Sequence, residues 1–100
     1  MTHKPLPNKG ILERRFRYDP KSGYIYRNDL RGSAGRRARH RPMGHTHPRD
    51  KYVQVSLGGI HYAAHRLAWV LMTGWDPYPQ MITHKNGDKT DNRWENLIMV

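Results

Sequence analysis

The chain has 100 residues, with 18 lysines and arginines against eight aspartates and glutamates, a formal net charge of +10 at pH 7. This length fits one domain, and the strong positive charge makes a polyanion, above all nucleic acid, the expected partner. The sequence contains no cysteine, which excludes disulfides, cysteine-ligated zinc and thiol nucleophiles. No apolar stretch reaches the roughly 18 residues of a membrane span, so we expect no membrane partner.

Segment 1–10 contains two prolines and one glycine without an apolar pattern, and we expect it to be a flexible arm. No apolar run of a secretory signal follows it, which favours a protein that stays in the cytoplasm where it is made. From Ile11 the sequence predicts a short helix or extended segment, a turn at residues 19–23 and a β-prone stretch at residues 24–26.

Residues 31–50 hold six arginines and three glycines and almost nothing apolar, so we interpret them as a basic loop. This loop is either a solvated linker or a segment that contacts phosphate, and the concentrated charge favours phosphate contact. His45 and His47 would point the same way in an extended chain and could bind a metal, but the sequence offers no obvious third ligand.

Residues 52–57 alternate between apolar and polar side chains, and two glycines at 58–59 predict a tight β-hairpin turn into a partner strand at 60–62. Apolar residues at helical spacing then predict a helix that ends at Gly74 and covers the hairpin: Ala64, Leu67, Ala68 and Leu71. His65 in this helix is either a phosphate ligand or, as we favour, a hydrogen-bonded structural residue.

Residues 81–97, MITHKNGDKTDNRWENL, predict a strand that ends at His84, a polar loop, and an Asp-Asn pair that caps a short helix. Asn92 and Asn96 are four residues apart and would share one face of that helix. If the strand folds back beside the helix, the imidazole of His84 and the amide of Asn96 would meet in a small polar pocket that could hold a metal. The apolar tail 97–100 is expected to form a final short strand.

Three stretches of the sequence, FRYDPKSGYIY, YVQVSLGGIHYAAHRLAW and HKNGDKTDNRWENL, resemble the HNH endonucleases of the ββα-metal group, particularly their small phage-type and homing-type members. The last stretch is the most specific. The resemblance implies one α+β domain over residues 11–100, in which a central β-hairpin with a packed helix leads into a C-terminal ββα-metal motif. It also implies a metal-dependent enzyme that hydrolyses phosphodiester bonds in DNA.

Within this resemblance His84 and Asn92 are the catalytic residues: His84 is the general base that activates water, and Asn92 ties the loop together. Asn96 would coordinate a divalent cation, Mg²⁺ or Mn²⁺, that stabilises the leaving 3′ oxygen. The family pattern has an aspartate directly before the catalytic histidine, whereas this sequence has Thr83, a neutral and weaker metal ligand. We therefore expect a lower metal affinity unless Asp88 or Asp91 supplies the missing carboxylate. The alternative is therefore a catalytically degenerate HNH-fold module that only binds DNA.

Basic residues of the loop and of the segments around the motif are expected to contact DNA phosphates. A basic protein that binds RNA would also fit the charge, but it leaves the HNH pattern unexplained. The candidate DNA-binding residues are Arg36, Arg37, Arg39, Arg41, Lys51, Arg66, Lys85, Lys89 and Arg93.

Overall fold

A computed structural model describes residues 6–28 and 41–100, which fold into a mixed domain of helices and strands. The elements are α1 (Lys9–Arg15), β1 (Phe16–Tyr18), β2 (Ile25–Arg27), β3 (His45–Thr46), β4 (Val53–Leu57), β5 (Ile60–Ala63), α2 (Ala64–Thr73), β6 (Ile82–His84), a 3-10 helix (Trp94–Asn96) and β7 (Leu97–Met99). The strands form three antiparallel sheets, β1–β2, β3–β4–β5 and β6–β7. Neither helix of these residues has the length and apolar content to cross a bilayer.

The first half of the predicted basic loop, residues 31–40, lies outside the described residues, and with it the candidate DNA-binding residues Arg36, Arg37 and Arg39. Its C-terminal part is described, and it contains the short strand β3, which pairs with β4. Residues 45–46 of the loop therefore form the edge strand of the central sheet rather than an irregular linker.

The predicted N-terminal arm is described from Leu6 onwards, and helix α1 begins inside it at Lys9. The side chain of Asn8 caps this helix, because its Oδ1 accepts a hydrogen bond from the backbone N–H of Ile11 at 2.9 Å. Leu6 packs against the main apolar core. The second half of the arm thus belongs to the folded domain.

The central hairpin and its helix follow the sequence prediction. Gly58 and Gly59 have φ angles of 60° and 79°, the left-handed values that a two-residue hairpin turn needs. Helix α2 ends at Gly74 and packs on β4 and β5. The main core between these elements, α1 and β1–β2 consists of buried Leu12, Phe16, Ile25, Val55, Tyr62, Ala64, Leu67 and Val70.

The C-terminal strands β6 and β7 pair with each other, with His84 opposite Leu97, and this confirms the predicted final strand. A second small core joins this pair to α2 through Ala68, Ile82 and Leu97. Its cover includes Trp69 and Trp94, whose ring centroids are 4.8 Å apart. The second core thus fixes β6, and with it His84, against the central helix.

The predicted helix with Asn92 and Asn96 on one face is wrong. Only Trp94–Asn96 is helical, as a 3-10 turn, and Asn92 lies before it. The helical turn is short because Asn92 before it bonds to His84, and because the chain is already extended at Leu97, where β7 pairs with β6. The two asparagines therefore point to different partners.

Candidate active site

His84 is the last residue of β6 and is buried, with 7% of its surface exposed. Its Nε2 lies 2.7 Å from Oδ1 of Asn92, which is also buried. An amide oxygen can only accept a hydrogen bond, so in this pair Nε2 carries the proton and Nδ1 keeps its lone pair. The geometry thus selects one tautomer of His84 and holds the ring in one orientation.

Asn92 itself is held from the N-terminal side of the domain. The hydroxyl of Tyr18 donates a hydrogen bond to the backbone carbonyl of Asn92, and Gly23 lies directly against the same peptide. Asn92 also lines a pocket of about 230 Å³ whose other walls come mainly from residues 23–25 and 42–46. The sequence analysis did not assign Tyr18 or Gly23 to the site; the signal was their place in one of the three stretches that resemble the family.

Asn96 is buried too, but its amide braces the loop instead of meeting His84. Its Oδ1 accepts from the backbone N–H of Asn86 at 3.1 Å, and its Nδ2 donates to Asn86 Oδ1 at 2.9 Å and to the backbone carbonyl of Asp91 at 2.8 Å. The expected meeting of His84 and Asn96 in one polar pocket is therefore replaced by a His84–Asn92 pair. The bonds that tie the loop together are those of Asn96.

Two carboxylates in the loop are also occupied by local hydrogen bonds. Asp88 accepts from the backbone N–H and the hydroxyl of Thr90, at 2.9 and 2.7 Å, and these bonds lower the pKa of Asp88. Asp91 accepts from the guanidinium of Arg93 in two bonds of 2.8 Å and from Asn86 Nδ2 at 2.9 Å. The bonds from Arg93 lower the pKa of Asp91 to about 2, so this carboxylate stays ionised at neutral pH.

Behind His84 lie the rings of His65 and Tyr52, whose centroids are 5.2 and 6.1 Å from that of His84. Nδ1 of His65 is buried without a hydrogen-bond partner in the part of the chain that the structure describes. Burial, with the charges of His84 and Arg66, lowers the pKa of His65 to about 4. His65 is thus a neutral packing residue behind His84, and the hydrogen bond expected for a structural histidine is missing at Nδ1.

Three of the candidate DNA-binding residues are engaged within the protein. Arg66 forms an ion pair of 3.1 Å with Asp76, and Arg93 pairs with Asp91 and, at 2.8 Å, with Glu95. The ammonium of Lys89 donates to the backbone carbonyl of Asp50 at 2.9 Å and lies 4.7 Å from the ring centroid of Tyr52. The described candidates with exposed side chains are Arg41, Lys51 and Lys85.

His45 and His47, which could in principle have bound a metal, do not come together as a metal site. Nδ1 of His47 accepts from the backbone N–H of Arg49 at 3.1 Å, whereas His45 packs edge-on against His61, with ring centroids 5.8 Å apart. Nδ1 of His61 is in turn 2.7 Å from the hydroxyl of Ser56. His61 lies next to His45 because β3 and β5 both pair with β4. The spacing of the histidines in the sequence did not indicate this contact.

The residues around His84 do not by themselves fit a divalent cation. Thr83 is exposed but neutral, and Oδ1 of Asn96 already accepts a hydrogen bond inside the loop. Over residues 6–28 and 41–100 there is no group of three histidine, aspartate or glutamate side chains placed to hold a metal ion. Mg²⁺ and Mn²⁺ favour sites with one or two carboxylates. Thr83 and Asn96 thus offer only neutral oxygens for such an ion, and the carboxylates of Asp88 and Asp91 in the same loop already accept hydrogen bonds from Thr90 and Arg93.

Comparison with known proteins finds a sequence match for the C-terminal segment and a structural match for most of the chain. The family model of HNH endonucleases, HNH_3, matches residues 62–100. No curated protein matches the chain. A solved structure that describes DNA binding and cleavage by the HNH homing endonuclease I-HmuI matches with a TM-score of 0.60 and 23% identity, over 86% of this chain and 46% of that one.

At this identity the structural match shows the fold alone, and this chain spans about half the length of I-HmuI. The mixture of helices and strands is nevertheless consistent with an HNH fold over most of the described residues. The sequence match is independent of that comparison and covers α2, His84, Asn92 and Asn96. Residues 62–100 therefore carry the sequence pattern of the HNH endonuclease family, which confirms the resemblance first found in the sequence.

Proposed function

We propose that this chain is a DNA endonuclease in which His84 acts as the general base. The observation that carries the proposal is the 2.7 Å contact between His84 Nε2 and Asn92 Oδ1, which leaves Nδ1 able to accept a proton. Support comes from the family match over residues 62–100 and from the fold shared with I-HmuI, a homing endonuclease that binds and cleaves DNA.

In the proposed reaction, the Nδ1 lone pair of His84 takes a proton from a water molecule as the water oxygen attacks phosphorus. The P–O bond to the leaving 3′ oxygen breaks, the 3′ oxygen takes a proton from solvent water to become a hydroxyl, and the histidine becomes an imidazolium. Asn92 Oδ1 keeps its bond to Nε2–H throughout, so it holds the ring in place before and after the proton transfer. A positioned general base of this kind contributes about 10²–10⁴-fold to the rate.

The family resemblance also implies a divalent cation, Mg²⁺ or Mn²⁺, in a ββα-metal motif. Since Thr83 and Asn96 do not make a cation site on their own, we assign no step of the reaction to a metal. Cleavage measured with added Mg²⁺, with added Mn²⁺ and with a chelator tests whether the activity requires such an ion.

DNA binding is proposed from the net charge of +10 and from the exposed side chains of Arg41, Lys51 and Lys85. Removal of one basic side chain that binds a phosphate should reduce the salt dependence of DNA binding by about 0.9 in the slope of log K against log salt. We expect Lys51→Ala and Lys85→Ala to lower this slope. Arg66→Ala should change it less, because Asp76 already pairs with the Arg66 guanidinium.

The experiment that tests the proposal is a plasmid-nicking assay with His84→Ala. We expect cleavage to fall by about 10²-fold or more, while the Kd for a DNA duplex stays the same. His61→Ala is the matched control, because His61 is exposed and lies outside the site. Unchanged cleavage by His84→Ala, or equal loss of cleavage and binding, would contradict the role of His84.

A second candidate function is a DNA-binding module without catalysis. The observation that favours it is Thr83, a neutral residue at the position where the family pattern has an aspartate. Thr83→Asp separates the two functions. Cleavage by the variant but not by the natural chain would identify a DNA-binding module that lacks only the aspartate ligand of the metal ion. Cleavage by the natural chain would reject this second function.

A further inference from the structure

We infer that Tyr18 and Gly23, on either side of the turn between β1 and β2, are positioning residues that hold Asn92 against His84. The inference rests on the proposed role of His84 as general base. Both residues lie outside the segment that matches the HNH family model. The turn that they flank would therefore be a part of the active site contributed by the N-terminal half of the chain.

The first contact is the hydrogen bond from the Tyr18 hydroxyl to the backbone carbonyl of Asn92. Tyr18 is partly buried, and burial together with Asp19 and Asp91 raises the pKa of its phenol, so the hydroxyl stays protonated and can donate. A hydrogen bond between backbone groups, from the Trp94 N–H to the carbonyl of Pro20 at 3.0 Å, attaches the same turn to the residues that follow Asn92.

The second contact is the close approach of Gly23 to the chain at Asn92. A Cβ atom at position 23 would lie 2.3 Å from the Arg93 nitrogen and 2.3 Å from the Asn92 carbonyl carbon. Both neighbours are backbone atoms, which cannot move aside as the end of a flexible side chain can. Gly23 also has a φ angle of 80°, so the turn needs glycine for its conformation as well as for its contact.

The turn itself is braced, so it can act as a fixed support. The carboxylate of Asp19 accepts from the backbone N–H of Lys21 at 3.0 Å and from the hydroxyl of Ser22 at 2.9 Å. Its backbone carbonyl accepts from Gly23 N–H at 2.7 Å. These bonds are of the kind that aspartate makes in tight turns.

Asn92 is thus held at both ends: its carbonyl by Tyr18 and its side-chain oxygen by His84. A shift of the Asn92 backbone would lengthen the 2.7 Å bond to Nε2 and leave the imidazole free to turn. A displacement of about 1 Å at a reacting group can reduce a rate by about 10²-fold. The turn would therefore affect catalysis through the orientation of His84, without touching the substrate.

The decisive test is Tyr18→Phe, which removes only the hydroxyl. We expect kcat for DNA cleavage to fall by about tenfold to 10²-fold while the Kd for DNA is unchanged. Tyr26→Phe is the matched control, because Tyr26 lies in the paired strand β2 and contacts Arg17 through its ring. A kcat for Tyr18→Phe equal to that of Tyr26→Phe would overturn the inference.

A second readout does not depend on cleavage: the solvent exchange of the His84 Nε2 proton, measured by ¹⁵N-edited NMR on the full chain. Tyr18→Phe should accelerate this exchange, and Tyr26→Phe should not. Unaltered exchange in Tyr18→Phe would overturn the inference. If the natural chain does not cut DNA, the proposed function fails, and this measurement still decides whether Tyr18 positions the His84–Asn92 pair.

Gly23→Ala is a further variant with its own control. Gly59 has a φ of 79°, nearly the same as Gly23, but a Cβ there would meet nothing within 4 Å. Both substitutions place alanine in a left-handed conformation, and only Gly23→Ala also presses on Asn92. We expect the His84 Nε2 proton to exchange faster in Gly23→Ala than in Gly59→Ala, and equal rates would overturn the role of Gly23.

Discussion

Two regions meet at His84, and they are stabilised in different ways. The main core is apolar: Leu12, Val55 and Leu67 have no exposed surface, and they hold the hairpin, α1 and α2 together. The loop after His84 is polar, and its shape depends on hydrogen bonds of asparagine and aspartate side chains, with Asn96 at the centre. The comparison indicates that the core determines whether the domain folds, whereas the polar loop determines the geometry around His84.

Leu67→Ala should have the largest effect on stability. It removes a fully buried side chain from the centre of the main core, which costs about 2–5 kcal/mol in the free energy of unfolding. Urea denaturation followed by circular dichroism measures this loss. Met72→Ala, at an exposed position of the same helix, should change the free energy by less than about 0.5 kcal/mol. Similar losses in both variants would show that the core is not where the stability resides.

Acidification should destabilise the domain through His65, which lies between the two regions. Its pKa is about 4 in the folded chain and about 6.5 when unfolded, so the unfolded state binds the proton first as the pH falls. The stability that the folded state gains by keeping His65 neutral is complete above pH 6.5 and is lost towards pH 4. The free energy of unfolding should therefore fall by about 3 kcal/mol between pH 7 and pH 4. In His65→Phe the free energy of unfolding should depend less on pH between pH 7 and pH 4. The control His61→Phe, at an exposed position, should keep the pH dependence of the natural chain.

The sequence predicted those parts of the fold that local patterns determine. The alternation of residues 52–57, the glycine pair at 58–59 and the helix end at Gly74 all lie in short stretches whose conformation depends mainly on their own residues. The helix over Asn92 and Asn96 was predicted from their spacing and from the Asp-Asn pair as a cap. The prediction failed because Asn92 bonds to His84 and the chain already enters β7 at Leu97. Helical spacing cannot reveal that a side chain is used by a neighbouring strand.

Pairings between distant segments could not be predicted either. The chemistry of His84, Asn92 and Asn96 suggested a polar site, but the choice of Asn92 as the partner of His84 depends on a turn about 70 residues away in sequence. Likewise, Arg66, Lys89 and Arg93 were expected to contact DNA on the basis of their charge. The internal partners of Arg66 and Lys89 come from loops that only the folded chain brings near, whereas Arg93 pairs with Asp91, two residues before it in the sequence.

Asn96→Ala should disturb the polar loop with a moderate loss of stability. The variant removes three hydrogen bonds and leaves the Asn86 N–H and the Asp91 carbonyl without that partner, which costs about 1–3 kcal/mol. We also expect faster hydrogen exchange of the amides in residues 85–91. Thr83→Ala, at an exposed position of β6, serves as the control for stability. If the amides of residues 85–91 exchange as slowly in Asn96→Ala as in the natural chain, the side chain of Asn96 does not stabilise the loop.

Lys89→Met should have the smallest effect, because it removes only the ammonium and keeps the apolar stem. The ammonium lies over the Tyr52 ring, a contact that contributes about 0.5–1 kcal/mol near the surface, and it also donates an exposed hydrogen bond to the backbone carbonyl of Asp50. The ammonium attaches the polar loop to Tyr52, whose ring contacts both His65 and His84, so its loss should increase hydrogen exchange in the loop but not in α2. Lys85→Met is the control, since Lys85 is exposed on the same loop. If both variants leave the loop equally protected, the loop is held by its own asparagine bonds, and its link to the apolar region passes through Tyr18 and Gly23 instead.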